Sequence, residues 1–366
     1  MTPDRLQTLR RLMGRHSVKA LLVTSPANRR YYSGFEAGDP QINESSGALL
    51  FTARGRYLIT DSRYTEAARA QAPLFQVVVA RQGLARSLAA LPALRGLQTL
   101  HLEPEFLSLA GYIEIKKARP GLRLSAAPFD VGGPRASKTA AEIRLVRKAL
   151  VITEAAVSAL WPKLEPGMTE REAAFFLESE FRRLGAEGPA FETIVASGPN
   201  AARPHAEPGL KKIRAGETVI IDCGARFKGY CADITRTRII GRPRKWQLEI
   251  YAIVKEALER GLAALAPGRP AAEVDRAARG FIAARGYGDY FGHSLGHGVG
   301  LFIHEAPRLS PRSRDELRPG NIVTVEPGIY LPGRGGVRLE QLALVTEKGA
   351  RLLNQGVALG SILAIN

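Results

Sequence analysis

Cysteine is scarce in this chain of 366 residues, which contains only Cys223 and Cys231. So low a count excludes a disulfide-rich secreted framework. If Asp222 and Asp233 face one side of a hairpin, strand alternation places Cys223 on the opposite side and Cys231 on the same side. We therefore expect no disulfide between them and a reducing compartment. A thiol so close to the acids could instead serve as a soft metal ligand.

Long apolar runs are also missing. No stretch reaches the roughly 18 consecutive apolar residues that a transmembrane helix needs. The first residues, 1–6, are polar and lack the apolar core of a secretion signal. These two features predict a cytoplasmic protein with no membrane partner.

Acidic residues are outnumbered, with 35 Asp and Glu against 52 Lys and Arg, which gives a formal net charge of +17. Such a charge can attract nucleic acid or acidic partners. The basic runs are short, however, as at residues 242–245, and no aromatic side chains are interleaved with them to stack on bases. We therefore interpret the charge as an arginine-rich solvated surface and expect no nucleic-acid partner.

The most informative feature that is present is a segment that occurs twice. Residues 213–224 align without a gap with residues 317–328. Each copy has an Arg-x-Gly turn, a short β-branched run and then a carboxylate, and a second carboxylate follows each copy. A charge at the end of an apolar run is unfavourable unless something offsets its desolvation. The four acids are Asp222 and Asp233 in the first copy, and Glu326 and Glu340 in the second.

Each pair of acids flanks a sequence typical of a hairpin turn, residues 224–229 in the first copy and 330–336 in the second. Strand alternation allows the two acids of a hairpin to face one side. Two such hairpins placed face to face pool four carboxylates, which repel one another and raise their own pKa values unless a cation is bound. Carboxylate oxygens suit Mn²⁺ or Mg²⁺ better than soft metals.

Three of the six histidines of the chain, His293, His297 and His304, lie within residues 291–305. Glycines on both sides of His297 allow close backbone approach. An isolated histidine is more often a packed or surface residue than a ligand. Because these three accompany four acids, we expect this segment to supply a fifth metal ligand.

In order and spacing, these residues resemble the metallopeptidases of the pita-bread fold, a family that includes methionine aminopeptidase, aminopeptidase P and prolidase. The motifs that carry the resemblance are Ile-Asp-Cys-Gly-Ala, Tyr-Cys-Ala-Asp-Ile-Thr-Arg-Thr, Gly-His-Gly-Val-Gly-Leu, His-Glu-Ala-Pro, Val-Glu-Pro-Gly-Ile-Tyr and Val-Arg-Leu-Glu. The resemblance covers the second part of the chain closely and the first part more loosely.

The resemblance implies a two-domain organisation. Mixed strand and helix patterns over residues 1–128 predict an α/β domain, which the resemblance identifies as a creatinase-like N-terminal domain with its characteristic turn at residues 28–35. A Pro/Gly-rich linker follows at 129–138. Residues 139–366 then form an α+β pita-bread catalytic domain with a pseudo-twofold internal repeat, whose first helices open with capping boxes at Thr139 and Thr169.

The resemblance also implies the role of each site residue. It assigns one metal ion to Asp222, the other to His297 and Glu326, and the bridging positions to Asp233 and Glu340. Glu326 would also act as the general base. The remaining catalytic and substrate-binding residues would be His205, His293, His304 and Arg338. Two divalent ions per chain are implied, Mn²⁺ first, with Co²⁺ and Zn²⁺ as alternatives.

The implied activity is hydrolysis of the Xaa-Pro bond at peptide N-termini, by an aminopeptidase or a dipeptidase that forms a homodimer. Arg338, two residues before Glu340, would pair with a substrate carboxylate or a bridging acid. Methionine aminopeptidase is the first alternative, followed by creatinase-like hydrolysis and by a metal-free binding protein on the same fold. The chain departs from the pattern at Gln341, where relatives often have an acid, and we expect little effect on the metals.

Overall fold

In the computed structural model, which describes residues 2–38 and 45–354, the chain divides into two units, Met1–Arg135 and Ala136–Asn366. The first unit contains one sheet and the second contains several, and each unit has its own apolar core. The domain and linker bounds predicted from the sequence remain predictions. Within the described ranges, no helix is both long and apolar enough to cross a bilayer.

The first unit is a six-stranded mixed sheet with helices packed against it. The strands follow the spatial order β4-β3-β2-β1-β5-β6, with β1–β2 and β2–β3 antiparallel and the other neighbours parallel. The strands are β1 (Ala20–Val23), β2 (Ala48–Thr52), β3 (Gly55–Thr60), β4 (Gln76–Val79), β5 (Thr99–Leu102) and β6 (Arg123–Ala126). The helices are α1 (Thr2–Arg15), α2 (Pro26–Ser33), α3 (Thr65–Gln71), α4 (Leu84–Ala90) and α5 (Leu109–Ala118).

One local difference from the sequence analysis lies at the predicted turn over residues 28–35. This segment is mostly helix α2, and only its end turns, at Gly34 with a left-handed φ of 84°. The Ser25 hydroxyl caps the helix by accepting from the Asn28 N–H, and Pro26 occupies the first turn, where its missing N–H costs nothing. The Ser-Pro pair is therefore the helix-start signal that the interpretation as a turn overlooked.

The second unit packs four long helices around two related groups of strands. The helices are α6 (Ala140–Leu160), α7 (Glu170–Arg183), α8 (Lys245–Ala263) and α9 (Ala271–Ala284). Both predicted capping boxes are confirmed, at Thr139 with Glu142 and at Thr169 with Glu172. Two apolar clusters, one centred on α6 and α7 and the other on α8 and α9, cover the strands.

The strands of the second unit form two copies of one arrangement. In each copy a long antiparallel pair carries a small hairpin at its end: β9–β12 carries β10–β11, and β15–β18 carries β16–β17. The first copy consists of β9 (Thr218–Cys223), β10 (Ala225–Phe227), β11 (Tyr230–Cys231) and β12 (Ile234–Ile239). The second consists of β15 (Ile322–Val325), β16 (Gly328–Leu331), β17 (Gly335–Arg338) and β18 (Gln341–Thr346). Their flanking strands are β7 (Gly188–Pro189), β8 (Ile194–Ser197), β13 (Gly296–Gly298), β14 (Glu305–Leu309) and β19 (Gly349–Leu352).

Each copy thus has two tiers, a long strand pair and a small hairpin, where the sequence predicted a single hairpin turn, at residues 224–229 and 330–336. Most of those residues belong to the small hairpins, and the tight turns are shorter. In the first copy, the strand is interrupted between the long pair and the small hairpin for a steric reason. A Cβ on Gly224 would lie 1.8 Å from the Ala232 carbonyl oxygen. In the second copy Pro327 has no N–H to continue the ladder. The four acids lie at or next to these breaks.

Candidate metal centre and substrate cavity

Three of the predicted ligands come together in the interior of the second unit. Asp222, Asp233 and Glu340 each offer an oxygen atom within 4.8 Å of the other two. Burial, reinforced by the charge of Glu340, raises the pKa of Asp233 well above its ordinary value. Burial, reinforced by Glu326 and Asp222, does the same to the pKa of Glu340. Three acids this close and this buried favour a bound cation.

Two oxygen atoms of the cluster have no hydrogen-bond partner within the described residues, Asp222 Oδ1 and Glu340 Oε1. The second oxygen of each group is occupied: Arg338 Nη2 donates to Asp222 Oδ2 at 2.6 Å, and the Thr235 hydroxyl donates to Glu340 Oε2 at 2.8 Å. Buried carboxylate oxygens without donors are costly unless they bind something positive. The donor set therefore fits hard divalent ions.

His297 and Glu326 join the cluster from the second copy of strands. His297 Nε2 lies 3.3 Å from Glu326 Oε1 and 3.5 Å from Asp233 Oδ2. Its other ring nitrogen, Nδ1, lies 3.1 Å from the Gly298 carbonyl oxygen, which orients Nε2 toward the acids. Burial opposes ionisation of Glu326, but the hydrogen bond and charge of His297 bring its pKa below the ordinary value. Of the four acids, Glu326 alone has a lowered pKa.

Arg338 is a buried hub beside the acids, with 3% of its surface exposed. Besides its bond to Asp222, it donates to the Tyr330 hydroxyl at 2.8 Å and to the Pro204 carbonyl at 3.2 Å. It also donates to Thr235 Oγ1 at 3.1 Å. Arg338 therefore pairs with Asp222, the acid that the resemblance assigns to a single metal ion, and not with either expected bridging acid.

The three remaining predicted histidines lie around one cavity of about 570 Å³. His205 is exposed on the loop that follows a 3-10 helix, Gly198–Ala202. His293 Nε2 lies 2.8 Å from the Tyr330 hydroxyl oxygen, and burial lowers the His293 pKa. The His304 ring stands edge-on to His297, with centroids 4.4 Å apart. Burial, followed by the charge of His297, lowers the pKa of His304 to about 4.

Sequence reasoning missed four residues in or directly behind the cavity wall. Tyr330 joins His293 to Arg338, and it stands in the motif Val-Glu-Pro-Gly-Ile-Tyr, which was the available signal. Arg308 lines the cavity with an exposed guanidinium that forms no hydrogen bond or ion pair among the described residues. Glu192 and Glu207 lie at exposed positions of the same wall. No local motif announces these last three residues, because they come from separate loops and strands.

A largely buried cluster of four acids and one histidine, beside a cavity and carried by two copies of one strand arrangement, suits metal-dependent hydrolysis. Residues 144–347 match the family described as Metallopeptidase family M24, and residues 5–130 match the Creatinase/Prolidase N-terminal domain. The chain belongs to metallopeptidase family M24. The predicted fold class is confirmed, and membership implies divalent metal ions and peptide substrates.

Individual proteins support this assignment over nearly the whole chain. The chain is 37% identical to a Xaa-Pro dipeptidase of Pyrococcus furiosus over 96% of this chain and 98% of that protein. A solved structure of a Xaa-Pro dipeptidase from Bacillus anthracis superimposes with a TM-score of 0.89 at 37% identity, over 96% of this chain and 97% of that one. An X-Pro aminopeptidase from Thermotoga maritima gives 0.85 at 36% identity, over 95% and 97%.

Proposed function

We propose that the protein hydrolyses the Xaa-Pro bond at the N-terminus of short peptides. The observation that carries the proposal is a single cavity in which three histidines face the buried carboxylate cluster. The names of the similar proteins, Xaa-Pro dipeptidases and an X-Pro aminopeptidase, support the same substrate class.

The proposed ligands for two divalent ions are Asp222, Asp233, His297, Glu326 and Glu340. When bound, such ions activate water and stabilise developing negative charge on the substrate carbonyl. We propose Mn²⁺ first, because four of the five donors are carboxylates, with Co²⁺ and Zn²⁺ as alternatives. Mg²⁺ shares the preference for oxygen ligands, so metal identity is part of the test.

The protein groups supply the proton transfers and orientation. Glu326 takes the proton of the attacking water and delivers it to the leaving nitrogen; its lowered pKa keeps it ionised, and so able to accept that proton, at neutral pH, while also making it a weaker base. His304, with a pKa of about 4, is neutral at pH 7 and can donate one N–H to the substrate without carrying charge. His205 and His293 line the same cavity and would contact the peptide.

Selectivity for proline follows from the chemistry of the scissile bond. A proline nitrogen has no N–H, so the site need not satisfy a donor there, and the ring offers apolar contact. Ile194, Ile303 and Pro204 supply apolar wall to the cavity. Peptides with alanine in place of proline lose that contact and leave an N–H to be satisfied.

The guanidinium of Arg308 suits the free carboxylate of a dipeptide, since it lines the cavity without an ion-pair partner among the described residues. Arg338 is less suited, because Asp222 and Tyr330 already accept its hydrogen bonds. We therefore propose a dipeptidase. Arg308→Met should lower kcat/KM for Xaa-Pro dipeptides by about 10-fold or more, the scale of one hydrogen bond to a charged group, and change Xaa-Pro-Yaa tripeptides less.

The test of the proposed function is a turnover panel of Xaa-Pro dipeptides, Xaa-Pro-Yaa tripeptides and Met-Ala peptides with Mn²⁺, Co²⁺, Zn²⁺ and Mg²⁺. Faster release from Xaa-Pro peptides supports the proposal. Faster release from Met-Ala peptides supports the methionine aminopeptidase alternative. If no peptide is cleaved with any of these metals, the peptidase proposal is rejected. In a separate measurement, His205→Ala should lower turnover strongly and leave the metal content nearly unchanged.

We also propose a homodimer in the cytoplasm. Both cysteines are buried and free, which fits a reducing compartment. The homodimer rests on the family resemblance. Light scattering on the full chain checks it, and a mass of one chain would reject it.

A further inference from the structure

The segment that carries three histidines, residues 291–305, is held in place by two ion pairs, and we call it the histidine loop. On one side, Arg279 Nε of helix α9 lies 2.7 Å from Asp275 Oδ2; the Asp275 side chain is 1% exposed and the Arg279 side chain 25%. On the other side, Lys138 Nζ lies 3.2 Å from Glu305 Oε2, and these side chains are 1% and 2% exposed. None of these four residues lines the cavity.

The Asp275–Arg279 pair fixes the backbone around His293. Arg279 donates to the Phe291 carbonyl at 2.8 Å and to the His293 carbonyl at 2.7 Å. Asp275 Oδ1 accepts the Leu295 N–H at 3.1 Å. The Arg279 guanidinium also lies 4.2 Å from the Phe291 ring centroid, and that ring stands edge-on to His293 at 5.0 Å. The backbone on both sides of His293 is therefore held by one pair.

The Lys138–Glu305 pair fixes the turn that precedes His304. Glu305 Oε1 accepts the Phe302 N–H at 3.0 Å, while Oε2 faces Lys138. The Gly300 N–H donates to the Phe302 carbonyl at 3.0 Å, which closes the turn. A Cβ on Gly300 would lie 2.5 Å from Glu305 Oε2, so the carboxylate packs directly against the backbone. The Glu305 carboxylate therefore ties Phe302 to Glu305, and His304 lies between these two residues in the chain.

Stability alone is a poor explanation for two such pairs. Apolar residues of similar volume often stabilise a core as well as a buried ion pair does, because desolvation of the charges is expensive. Directional hydrogen bonds, in contrast, hold a ring within the small tolerance that catalysis needs. We propose that Asp275–Arg279 is a positioning pair for His293 and that Lys138–Glu305 is a positioning pair for His304. The role of both rings in substrate contact rests on the proposed function.

The test is a set of double-variant cycles on the metal-loaded full chain. Asp275→Asn and Glu305→Gln are each measured alone, with His293→Gln and with His304→Gln. Each single variant should lower kcat/KM for an Xaa-Pro dipeptide by about 10-fold to 100-fold without loss of metal, the scale of a small misplacement. Glu305→Gln should cost nothing more once His304 is replaced, but its full factor once His293 is replaced. Asp275→Asn should behave in the opposite way.

Each pair is thus the control for the other. Glu256→Gln, in the exposed α8 pair with Arg260, is the further control and should change nothing. Losses that multiply with both histidine variants would mean a general weakening of the fold and would overturn the proposal. If Glu305→Gln does not fold, Lys138→Met with Glu305→Leu removes the link without leaving a buried charge unpaired.

A second readout does not need activity. With six histidines in the chain, labelled imidazole signals can be assigned by single substitutions in the full chain loaded with Mg²⁺. Glu305→Gln should move the His304 signal and leave the His293 signal, and Asp275→Asn should do the reverse. Unmoved signals overturn the positioning proposal. Moved signals in a protein that cleaves no Xaa-Pro peptide support the positioning pairs and reject the proposed function alone.

Discussion

The two copies of the strand arrangement have the same backbone pattern, but their aligned acids lie in different electrostatic environments. Asp222 and Glu326 occupy aligned positions, yet burial raises the pKa of Asp222, whereas the contact with His297 outweighs burial and lowers the pKa of Glu326. Among the described residues of the first copy, no histidine lies within ion-pair distance of Asp222. Asp222 pairs with Arg338 instead. A duplicated scaffold therefore supplies the geometry, and the histidine beside Glu326 gives the two aligned acids opposite pKa shifts.

The largest expected effect is an asymmetry between these aligned acids. Glu326→Gln keeps the shape and one oxygen donor but loses basicity, so turnover of an Xaa-Pro peptide should fall by about 10²-fold or more with metal retained. Asp222→Asn should instead weaken metal binding and recover turnover at high metal concentration. Metal titrations of both variants check this. Equal turnover losses that saturating metal restores in both would remove Glu326 as the base.

The turns that open the two copies allow a comparison of stability. Gly216 and Gly320 have φ values of 81° and 89°, a left-handed conformation that costs other residues about 1–2 kcal/mol. A Cβ on Gly320 would also lie 3.0 Å from the Lys138 carbonyl oxygen, whereas near Gly216 the nearest atom is 3.9 Å away. Gly320→Ala should therefore destabilise more than Gly216→Ala in denaturant unfolding. The reverse order would contradict the packing described for the second copy.

The smallest expected effect is a pH dependence of the metal-free protein. The folded-state pKa values of Asp233 and Glu340 are raised by burial and by the charges of neighbouring acids, so their protonated forms stabilise the fold. That contribution is complete below the unfolded values, about 4, and is lost as pH rises through the raised values. Melting of metal-free protein should thus occur at lower temperature as pH rises, and added Mn²⁺ should remove the trend. Glu326 acts in the opposite direction, since its lowered pKa adds stability that disappears in acid.

The acids were predictable because they repeat in a local pattern of turn, β-branched run and carboxylate. The break between tiers was not, since it depends on the approach of Gly224 to a carbonyl eight residues later in the chain. Arg308 was missed for a related reason: its place in the cavity is a tertiary property. The sequence also did not reveal that Asp222 and Tyr330 accept hydrogen bonds from Arg338.

Gln341, at which we expect little effect on metal binding, makes one specific side-chain contact, with Arg236. The Gln341 amide oxygen lies 3.4 Å from Arg236 Nη2, and Arg236 Nη1 donates to the Glu340 carbonyl. Gln341 is therefore linked through Arg236 to the backbone of Glu340, a proposed ligand. How strongly it acts on the metals stays a prediction.

The most direct test of the account counts metal ions and turnover in the same samples of wild-type protein and Asp233→Ala. Asp233 belongs to the first copy, and its Oδ2 lies 3.5 Å from Nε2 of His297 in the histidine loop. Exposed Asp289→Ala serves as the control. We predict up to two divalent ions per wild-type and control chain with Xaa-Pro turnover in both, and loss of most metal together with turnover in Asp233→Ala. Full metal occupancy and normal turnover in Asp233→Ala would contradict the account.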